Sequence, residues 1–324
     1  MTESVGPTPT IADSRIDTHA HAAFGLTDVL LLAMAAIWGI NFVVVKYATH
    51  VFSPVAFTGL RVVTAAIFLL IAAFGRGSST PGSADSMRTR MLGLVLSRAD
   101  LIRLLLLGAL GNGLYQLFFV HGVARTRAGN ASLIVGAAPA FIALVARLRG
   151  LERAKATTLL GIGLSVAGVA LVIVGSARPT SGETTLLGSL LVFFGVLCWT
   201  LYTILLQPYT KRIDVIRLSA VTMVGGAVPL LLASLPALID TDWSRIGVGG
   251  WIALLYSSVI SMGVAYIFWY RGLRILGPTR TAVYSNLQPI VALLVAWAFL
   301  GEHPTIFQGV GAATIIAGVF LTRA

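Results

Sequence analysis

Ten apolar runs, each about 20 residues long, constrain the fold of this chain more than any other feature. They lie at about 28–47, 54–74, 101–123, 128–147, 156–175, 186–206, 216–239, 249–270, 278–300 and 304–322. A helix needs about 20 apolar residues to cross the hydrocarbon core of a bilayer. Lipid satisfies no free backbone polar groups, so each crossing must be helical. The sequence therefore predicts an all-α polytopic membrane protein with ten transmembrane helices.

The composition excludes the main soluble classes. Charged residues make up 11% of the 324 residues, whereas soluble domains carry about 25%. A net charge of +11 is compatible with nucleic-acid binding, but the basic residues lie in short gaps between apolar runs rather than on one face. We therefore expect the lipid bilayer as a partner and no nucleic acid. The single cysteine, Cys198, excludes an internal disulfide framework and a cysteine-cage metal site.

The distribution of basic residues predicts the orientation in the membrane. Residues 1–26 are polar and lack the basic start and apolar core of a cleaved signal peptide, so we expect a disordered cytoplasmic tail. Cytoplasmic loops collect Lys and Arg. With the N-terminus inside, 17 of the 23 Lys and Arg residues lie on the cytoplasmic side and 5 lie outside. Both termini are therefore expected in the cytoplasm.

The chain also repeats itself. The segment "GLYQLFFVHG" (113–122) corresponds to "GVAYIFWYRG" (263–272), at an offset of 150 residues. The same offset pairs Pro139 with Pro289, Glu152 with Glu302, Gly161 with Gly311 and Gly168 with Gly318, and Trp38 pairs with Trp199 at an offset of 161. Each copy holds five spans, an odd number, so the second copy must enter the membrane inverted. Inverted repeats are an architecture of secondary transporters.

These segments carry a resemblance to a known family. "AIWGINFVVVKYA", followed by Pro54 and Leu60–Arg61, resembles the start of EamA-type members of the drug/metabolite transporter superfamily. The stretches after Pro139 and Pro289 resemble the ending of that family's repeat. The resemblance covers about residues 27–323 and implies two inverted EamA-like five-helix repeats, 27–176 and 186–324. It also implies an inner (plasma) membrane location and export or exchange of small metabolites. The second copy has Thr200 where the first has Gly39, so no role is assigned to that glycine.

Polar residues within the spans are the candidate binding residues. Asn41 and Arg61 lie roughly 9 and 10 Å from the outer ends of two neighbouring helices, at 1.5 Å per residue. A central Arg costs about 2.5–3.5 kcal/mol on insertion scales and usually faces protein or a wet cavity. Our hypothesis is that both residues line the central pathway and that Arg61 holds an anionic group such as a carboxylate. The alternative is that Arg61 bonds helix carbonyls and only locks two helices together. Lys46, near a helix end, is expected to extend to the membrane interface.

Aromatic and amide residues complete the set of candidates. Trp38 and Trp199 are repeat partners that either wall a cavity or simply pack between helices. In the ninth span, Pro289 removes a backbone hydrogen bond, just after polar residues that either contact substrate or bond neighbouring helices. These are Tyr284, Asn286 and Gln288. Further candidates for the substrate site are Tyr115, Gln116, Tyr202, Tyr266 and Trp269. Glu152 and Glu302 come at helix starts, where carboxylates cap and favour the dipole, so we expect structural roles.

The sequence favours a secondary transporter that exports a small, amino-acid-like metabolite by alternating access. No Asp or Glu lies in the middle of a span, and no P-loop, metal-ligand or catalytic constellation stands out, so we expect no cofactor, no metal and no catalytic residue. A sugar-phosphate or nucleotide-sugar exchanger is the first alternative, although it would need more than one basic cavity residue. An intramembrane enzyme and a purely structural membrane protein are alternatives of another class. The sequence does not decide the exact substrate, the coupling ion, the direction of transport or whether the protein forms a homodimer.

Overall fold

The computed structural model describes residues 25–75, 97–150, 156–176 and 185–321, and these ranges are largely helical. The helices of the first half are α1 (Leu26–Val51), α2 (Pro54–Phe74), α3 (Arg98–Arg125), α4 (Ala128–Leu148) and α5 (Ala156–Ser176). Those of the second half are α6 (Thr185–Thr210), α7 (Val215–Ile239), α8 (Val248–Ile275), α9 (Pro278–Leu300) and α10 (Ile306–Leu321). A 3₁₀ turn, Trp243–Arg245, lies between α7 and α8.

Helix length decides which elements are candidates to cross a membrane. Among the described residues, eight helices are long and apolar enough: α1 to α4 and α6 to α9. The other two carry shorter apolar stretches, Leu159–Gly175 and Ile306–Leu321. The predicted all-α membrane architecture is thus confirmed over the described ranges, and the count of ten spans stays a prediction. The predicted tail lies outside the described residues except for Gly25 and Leu26, and Glu152 lies outside them.

Short polar and turn-forming residues explain where helices start and stop. Ser53 caps α2 by accepting a hydrogen bond from the Ala56 amide at 3.3 Å, and Pro54 occupies the first turn, where its missing N–H costs nothing. Asp214 caps α7 through the amide of Ile216 at 3.1 Å. Gly301 ends α9 with φ of 65°, a left-handed conformation that favours glycine.

Four irregular stretches interrupt the long helices at repeat-related positions. The backbone is π-helical at Ala109–Leu114 in α3 and at Tyr256–Val264 in α8. Helix α4 is broken at Ala137, and a 3₁₀ turn, Ser285–Leu287, breaks α9. Each member of a pair follows its partner by about 150 residues, the offset of the repeat. The breaks in α4 and α9 come just before Pro139 and Pro289, which cannot donate to the preceding turn.

The most extensive helix pairs are α5 with α10, α3 with α6, and α2 with α7. The α5–α10 contact is backbone to backbone. A Cβ atom on Gly168 would lie 2.9 Å from the Gly311 carbonyl oxygen, and one on Gly318 would lie 2.5 Å from that of Gly161. Small residues allow membrane helices this approach, so the four glycines set the spacing of this pair.

Lys46 does not extend to the membrane interface, and that prediction was wrong. Its side chain is buried, and Nζ donates to the carbonyl oxygens of Thr126 at 2.9 Å and Ala124 at 3.3 Å. These carbonyls lie at the C-terminal end of α3, where a helix has unpaired acceptors and the negative end of its dipole. The end of α3 therefore supplies nearer partners for the ammonium group than the headgroup region does.

We predict that Gly168→Ala and Gly318→Ala each destabilise the protein by about 1–3 kcal/mol, because overpacking pushes α5 and α10 apart. Thermal unfolding of the purified protein in detergent measures this as a lower Tm. Gly163→Ala and Gly309→Ala, on the same two helices, are the matched controls, because a Cβ there meets nothing within 4 Å. Equal melting temperatures for all four variants would contradict the assigned contact.

A second variant tests the Lys46 contact. Lys46→Met should lower the free energy of unfolding by about 1–3 kcal/mol, because it leaves buried carbonyls at the end of α3 without a donor. Tyr47→Phe, which changes an exposed neighbour on the same helix, serves as the control and should leave the Tm unchanged. Both are measured in the same unfolding assay. An unchanged Tm for Lys46→Met shows that the two hydrogen bonds add nothing to stability.

Candidate functional site

A cavity lies between α1, α2, α3, α4, α6, α8 and α9, in the middle of the helical bundle. Its volume is about 40 Å³, and a single water needs roughly 10–15 Å³ on the same measure. It is lined by Trp38, Asn41, Phe42, Arg61, Tyr115, Gln116, Phe119, Val135, Ala138, Ile142, Trp199, Ser261, Met262, Tyr266, Trp269, Ala282, Ser285 and Gln288. In this conformation the cavity has room for a few waters only, so a metabolite could enter only if the helices moved.

Arg61 is the charged group of this cavity. Its side chain is 1% exposed, and Nε donates to the sulfur of Met262 at 3.3 Å. The guanidinium carbon lies 5.7 Å from the ring centre of Phe57 and 5.9 Å from that of Phe119. Among the described residues, no carboxylate pairs with it, no helix carbonyl accepts from it, and Nη1 is buried without a hydrogen-bond partner. The positive charge is thus held by weak partners only.

Two amide side chains in the lining of the same cavity have acceptors without a partner. Asn41 and Gln116 are buried, and the Asn41 Oδ1 and Gln116 Oε1 atoms have no hydrogen-bond partner within the described ranges. Gln116 Nε2 donates to the Tyr266 hydroxyl at 3.0 Å, which ties the amide to α8. Gln288 also lines the cavity and is buried. The residues that line the cavity therefore include both unpaired donors and unpaired acceptors.

Aromatic rings form another part of the wall. The ring of Trp38 lies with its centre 5.7 Å from Trp199, 5.7 Å from Tyr266 and 5.5 Å from Trp269. Trp38 Nε1 donates to the Ser261 carbonyl oxygen at 2.9 Å, within the π-helical part of α8. Such short π-helical stretches often occur at functional sites. Here the stretch presents both this carbonyl and the sulfur of Met262 to the centre of the protein.

The structure brings together nine of the predicted site residues and leaves three outside the lining. Trp38, Asn41, Arg61, Tyr115, Gln116, Trp199, Tyr266, Trp269 and Gln288 all line the cavity. Whether they bind substrate stays a prediction.

The other three predicted residues lie elsewhere. The Tyr202 hydroxyl hydrogen bonds that of Tyr270 and accepts from Asn112 Nδ2 at 3.4 Å. Tyr284 donates to Asp28. Asn286 is not among the cavity-lining residues. A substrate role for these three also stays a prediction.

Several lining residues were missed by the sequence analysis. Ser261 and Met262 belong to α8, and Met262 precedes Tyr266 and Trp269 by four and seven residues, the spacing of one helix face. That periodicity could have identified Met262. The apolar wall, such as Phe42 and Phe119, carries no pattern that distinguishes it from ordinary packing. Among the described residues, no cluster of His, Cys, Asp or Glu could hold a metal ion.

A polar contact ties the α9–α10 loop to the start of α4, and we name it the Glu302 clasp. The Glu302 carboxylate accepts from the amides of Ala128 at 3.0 Å and Gly129 at 3.1 Å. Arg127 Nη2 donates to the His303 carbonyl oxygen at 2.7 Å, and Arg127 Nε lies 3.9 Å from Glu302. A carboxylate at a helix N-terminus is favourable, but the helix it serves is α4, not the α10 that follows it.

Comparison with known proteins agrees with this architecture. The EamA-like transporter family matches residues 25–174 and again residues 186–324. The chain is 30% identical over 294 residues to the uncharacterized transporter YyaM of Bacillus subtilis, covering 90% of this chain and 91% of that protein. It is 30% identical over 233 residues to a probable terminal-alkyne amino-acid exporter of Streptantibioticus cattleyicolor, covering 71% and 76%.

A crystal structure of a protein with 16% sequence identity superposes with a TM-score of 0.64, covering 92% of this chain and 98% of that chain. This likeness extends the agreement to the fold. The family match spans both halves of the chain, and the helices are long and apolar enough for a membrane. The chain therefore belongs to the EamA-like transporter family and is a multi-pass membrane transporter.

Proposed function

We propose that this protein is a secondary transporter that exports a small, amino-acid-like metabolite by alternating access, and that Arg61 binds the carboxylate of the substrate. One observation carries the proposal: a fully buried guanidinium in the lining of the central cavity has an N–H without a partner and no acidic partner among the described residues. A carboxylate-bearing substrate in that cavity supplies the missing acceptor.

The energetics of a buried charge support this assignment. An Arg at the middle of a membrane helix costs about 2.5–3.5 kcal/mol on insertion scales. A sulfur atom and two aromatic rings offset part of that cost, because each is only a weak partner for a cation. Charge-assisted hydrogen bonds from Arg to a carboxylate are stronger and fix the geometry of both groups. A bound carboxylate therefore stabilises Arg61 more than its present neighbours do.

Contacts between repeat partners support two inverted five-helix repeats, 27–176 and 186–324. Two residues related by a twofold axis can touch each other only near that axis. Gln116 and Tyr266, partners at an offset of 150, are joined by a hydrogen bond, and the partners Trp38 and Trp199 are in ring contact. All four residues line the cavity. These contacts support a pseudo-twofold axis that passes through the candidate site, which is where transporters with inverted repeats bind substrate.

The α5–α10 pair supports the same symmetry. Gly168 approaches Gly311, and Gly318 approaches Gly161. Gly168 and Gly318 are partners at the offset of 150, and so are Gly161 and Gly311. Replacing each glycine by its partner turns the Gly168–Gly311 contact into the Gly318–Gly161 contact. Such reciprocal contacts are the property of a twofold-related interface. They support counting α5 and α10 as the last spans of the two repeats, which gives ten spans in all.

Alternating access requires that the cavity can be closed on either side. The Glu302 clasp joins α4 to the α9–α10 loop at one end of the bundle. Towards the other end, Tyr284 of α9 bonds Asp28 of α1, and Tyr202 of α6 bonds Tyr270 of α8. The cavity of about 40 Å³ lies between these contacts. This arrangement supports an occluded state that opens at one end when either set of contacts separates.

The charge distribution supports placement in the inner (plasma) membrane with both termini in the cytoplasm. In that orientation 17 of 23 Lys and Arg residues face the cytoplasm, as the positive-inside rule requires. The Glu302 clasp is then the extracellular gate. The bilayer and a small-molecule substrate are the partners we propose.

The rival functions receive less support from the cavity. A phosphate group carries more charge than a carboxylate, and Arg61 is the only Lys or Arg among the cavity-lining residues. Among the described residues, the lining also contains no Asp, Glu, His or Cys, the usual partners that activate a nucleophile or transfer a proton. The relative named an amino-acid exporter adds weight to an amino-acid-like substrate.

The first experiment measures the counterflow of pooled labelled amino acids in proteoliposomes, with and without an imposed pH gradient. We predict that Arg61→Gln lowers counterflow about tenfold or more, because it removes a charge-assisted pair with the substrate, and leaves the Tm unchanged. Arg245→Gln, which changes an exposed arginine in the α7–α8 turn, is the matched control. Unchanged counterflow together with a lower Tm would assign Arg61 a purely structural role.

A second experiment tests the Glu302 clasp as an extracellular gate. In a background that lacks the single native cysteine (Cys198→Ser), Val135→Cys places a thiol in the cavity wall. We predict that Glu302→Gln raises the rate of labelling by an external, membrane-impermeant maleimide several-fold, because a neutral amide holds the two α4 amides less strongly than a carboxylate. Asp242→Asn, an exposed carboxylate near the same face, should leave the rate unchanged. A rate that Glu302→Gln does not alter would remove the gating role.

A further inference from the structure

We propose that Asn41 and Gln116 form a subsite for the ammonium group of the substrate, so that the cavity selects a zwitterionic amino acid with an apolar side chain. This inference rests on the proposed function and deepens it. It concerns the end of the substrate opposite the carboxylate, and it states which groups a substrate must carry besides the carboxylate that Arg61 binds.

Two unpaired acceptors in the cavity wall indicate which group the ligand must donate from. Asn41 Oδ1 and Gln116 Oε1 are buried in the cavity wall and have no hydrogen-bond partner in the part of the chain that the structure describes. Buried polar atoms in native proteins nearly always have a partner. An amide oxygen only accepts, and an ammonium group offers three donors and no acceptor. A protonated amine is therefore a ligand that can satisfy both oxygens at once.

An unpaired donor lies in the same cavity wall as the two unpaired acceptors. Arg61 Nη1 is an unpaired donor in the same cavity, and an arginine cannot accept a hydrogen bond. Asn41 lies on α1, Arg61 on α2 and Gln116 on α3, and these three helices contact one another. One small molecule that carries an acceptor group and a donor group close together fits this set. An α-amino acid has both groups on one carbon atom.

Gln116 is tied to α8 by one end of its amide. Its Nε2 atom donates to the Tyr266 hydroxyl at 3.0 Å, and its Oε1 atom is the end of the amide without a partner. Tyr266 itself is buried and packs against Trp38 and Trp199, so its hydroxyl is held in place. Tyr266 is thus a positioning residue that holds the Gln116 amide at the cavity wall.

Because the two amides carry no charge, they favour a zwitterion over an amine that lacks a carboxylate. The lining residues include no carboxylate that could neutralise an isolated ammonium group, and an amine without a carboxylate would be repelled by Arg61 at low dielectric. A zwitterion brings its own negative charge to Arg61. The remaining wall, which includes Phe42, Phe119 and Ile142, is apolar and suits an aliphatic side chain such as that of leucine.

Three probes that share the isobutyl side chain of leucine test the subsite: L-leucine, 4-methylpentanoate, which lacks the amine, and 3-methylbutylamine, which lacks the carboxylate. Binding to the purified protein in nanodiscs is measured by calorimetry. We expect L-leucine to bind about tenfold or more tightly than 4-methylpentanoate, the scale of one charge-assisted hydrogen bond. The amine should show no binding.

Variants of the two amides test whether these residues cause the preference for leucine over 4-methylpentanoate. Gln116→Met and Asn41→Leu should each weaken L-leucine binding about tenfold and leave the affinity for 4-methylpentanoate unchanged. Tyr266→Phe should reduce the preference for leucine by a smaller factor. Gln308→Met is the matched control: this buried glutamine donates to Asn130 outside the cavity, so the ratio of the two affinities should not change.

The outcomes separate this inference from the proposed function. If leucine and 4-methylpentanoate bind equally and both are lost in Arg61→Gln, the carboxylate site stands and the ammonium subsite is wrong. If the amide variants weaken both probes by the same factor, the two residues have only a structural role. If none of the three probes binds and counterflow is absent, both proposals fail.

Discussion

A positive charge buried in a membrane protein is the constraint on which the arrangement around the cavity depends. Arg61 is almost fully buried, so every neighbour must either stabilise its charge or leave room for a ligand that does. The structure places a sulfur atom, two rings and an apolar wall around the guanidinium. These partners are soft and weak, so they hold the charge without neutralising it. A fixed carboxylate in their place would have turned the same cavity into a closed ion pair with nothing left for a substrate.

The irregular helices provide this surrounding. Straight α-helices satisfy their own carbonyls and present only side chains to a cavity. In α8, the π-helical stretch Tyr256–Val264 brings the Ser261 carbonyl to Trp38 and the Met262 sulfur to Arg61. In α9, the 3₁₀ turn before Gln288 places Ser285 and Gln288 in the wall. Departures from regular helix therefore occur where the backbone itself contributes to the site.

The sequence predicts helix positions well because bilayer thickness sets their length, and the apolar runs reproduce that length. It also identifies Asn41 and Arg61, because a polar residue inside such a run has few explanations. It does not reveal where a long side chain finds its partner. Lys46 bonds the end of α3, and Glu302 bonds the start of α4 rather than its own helix, since both partners are distant along the chain. The π-helical stretches were not predicted either, because they depend on packing between helices rather than on local residue preference.

The strengths of the closing contacts fit the role of a gate. The Glu302 clasp consists of two amide hydrogen bonds to a carboxylate, a carbonyl contact and a loose ion pair. Hydrogen bonds to charged groups contribute about 1.5–3 kcal/mol each, and a partly exposed ion pair adds less. A ligand can shift an equilibrium only by its differential affinity for the two states. In the proposed site, pairing Arg61 and two amide oxygens with one zwitterion supplies interactions of the same kind. The proposed mechanism therefore requires that binding at the centre and closure at the end have comparable free energies, so that a ligand decides which gate opens.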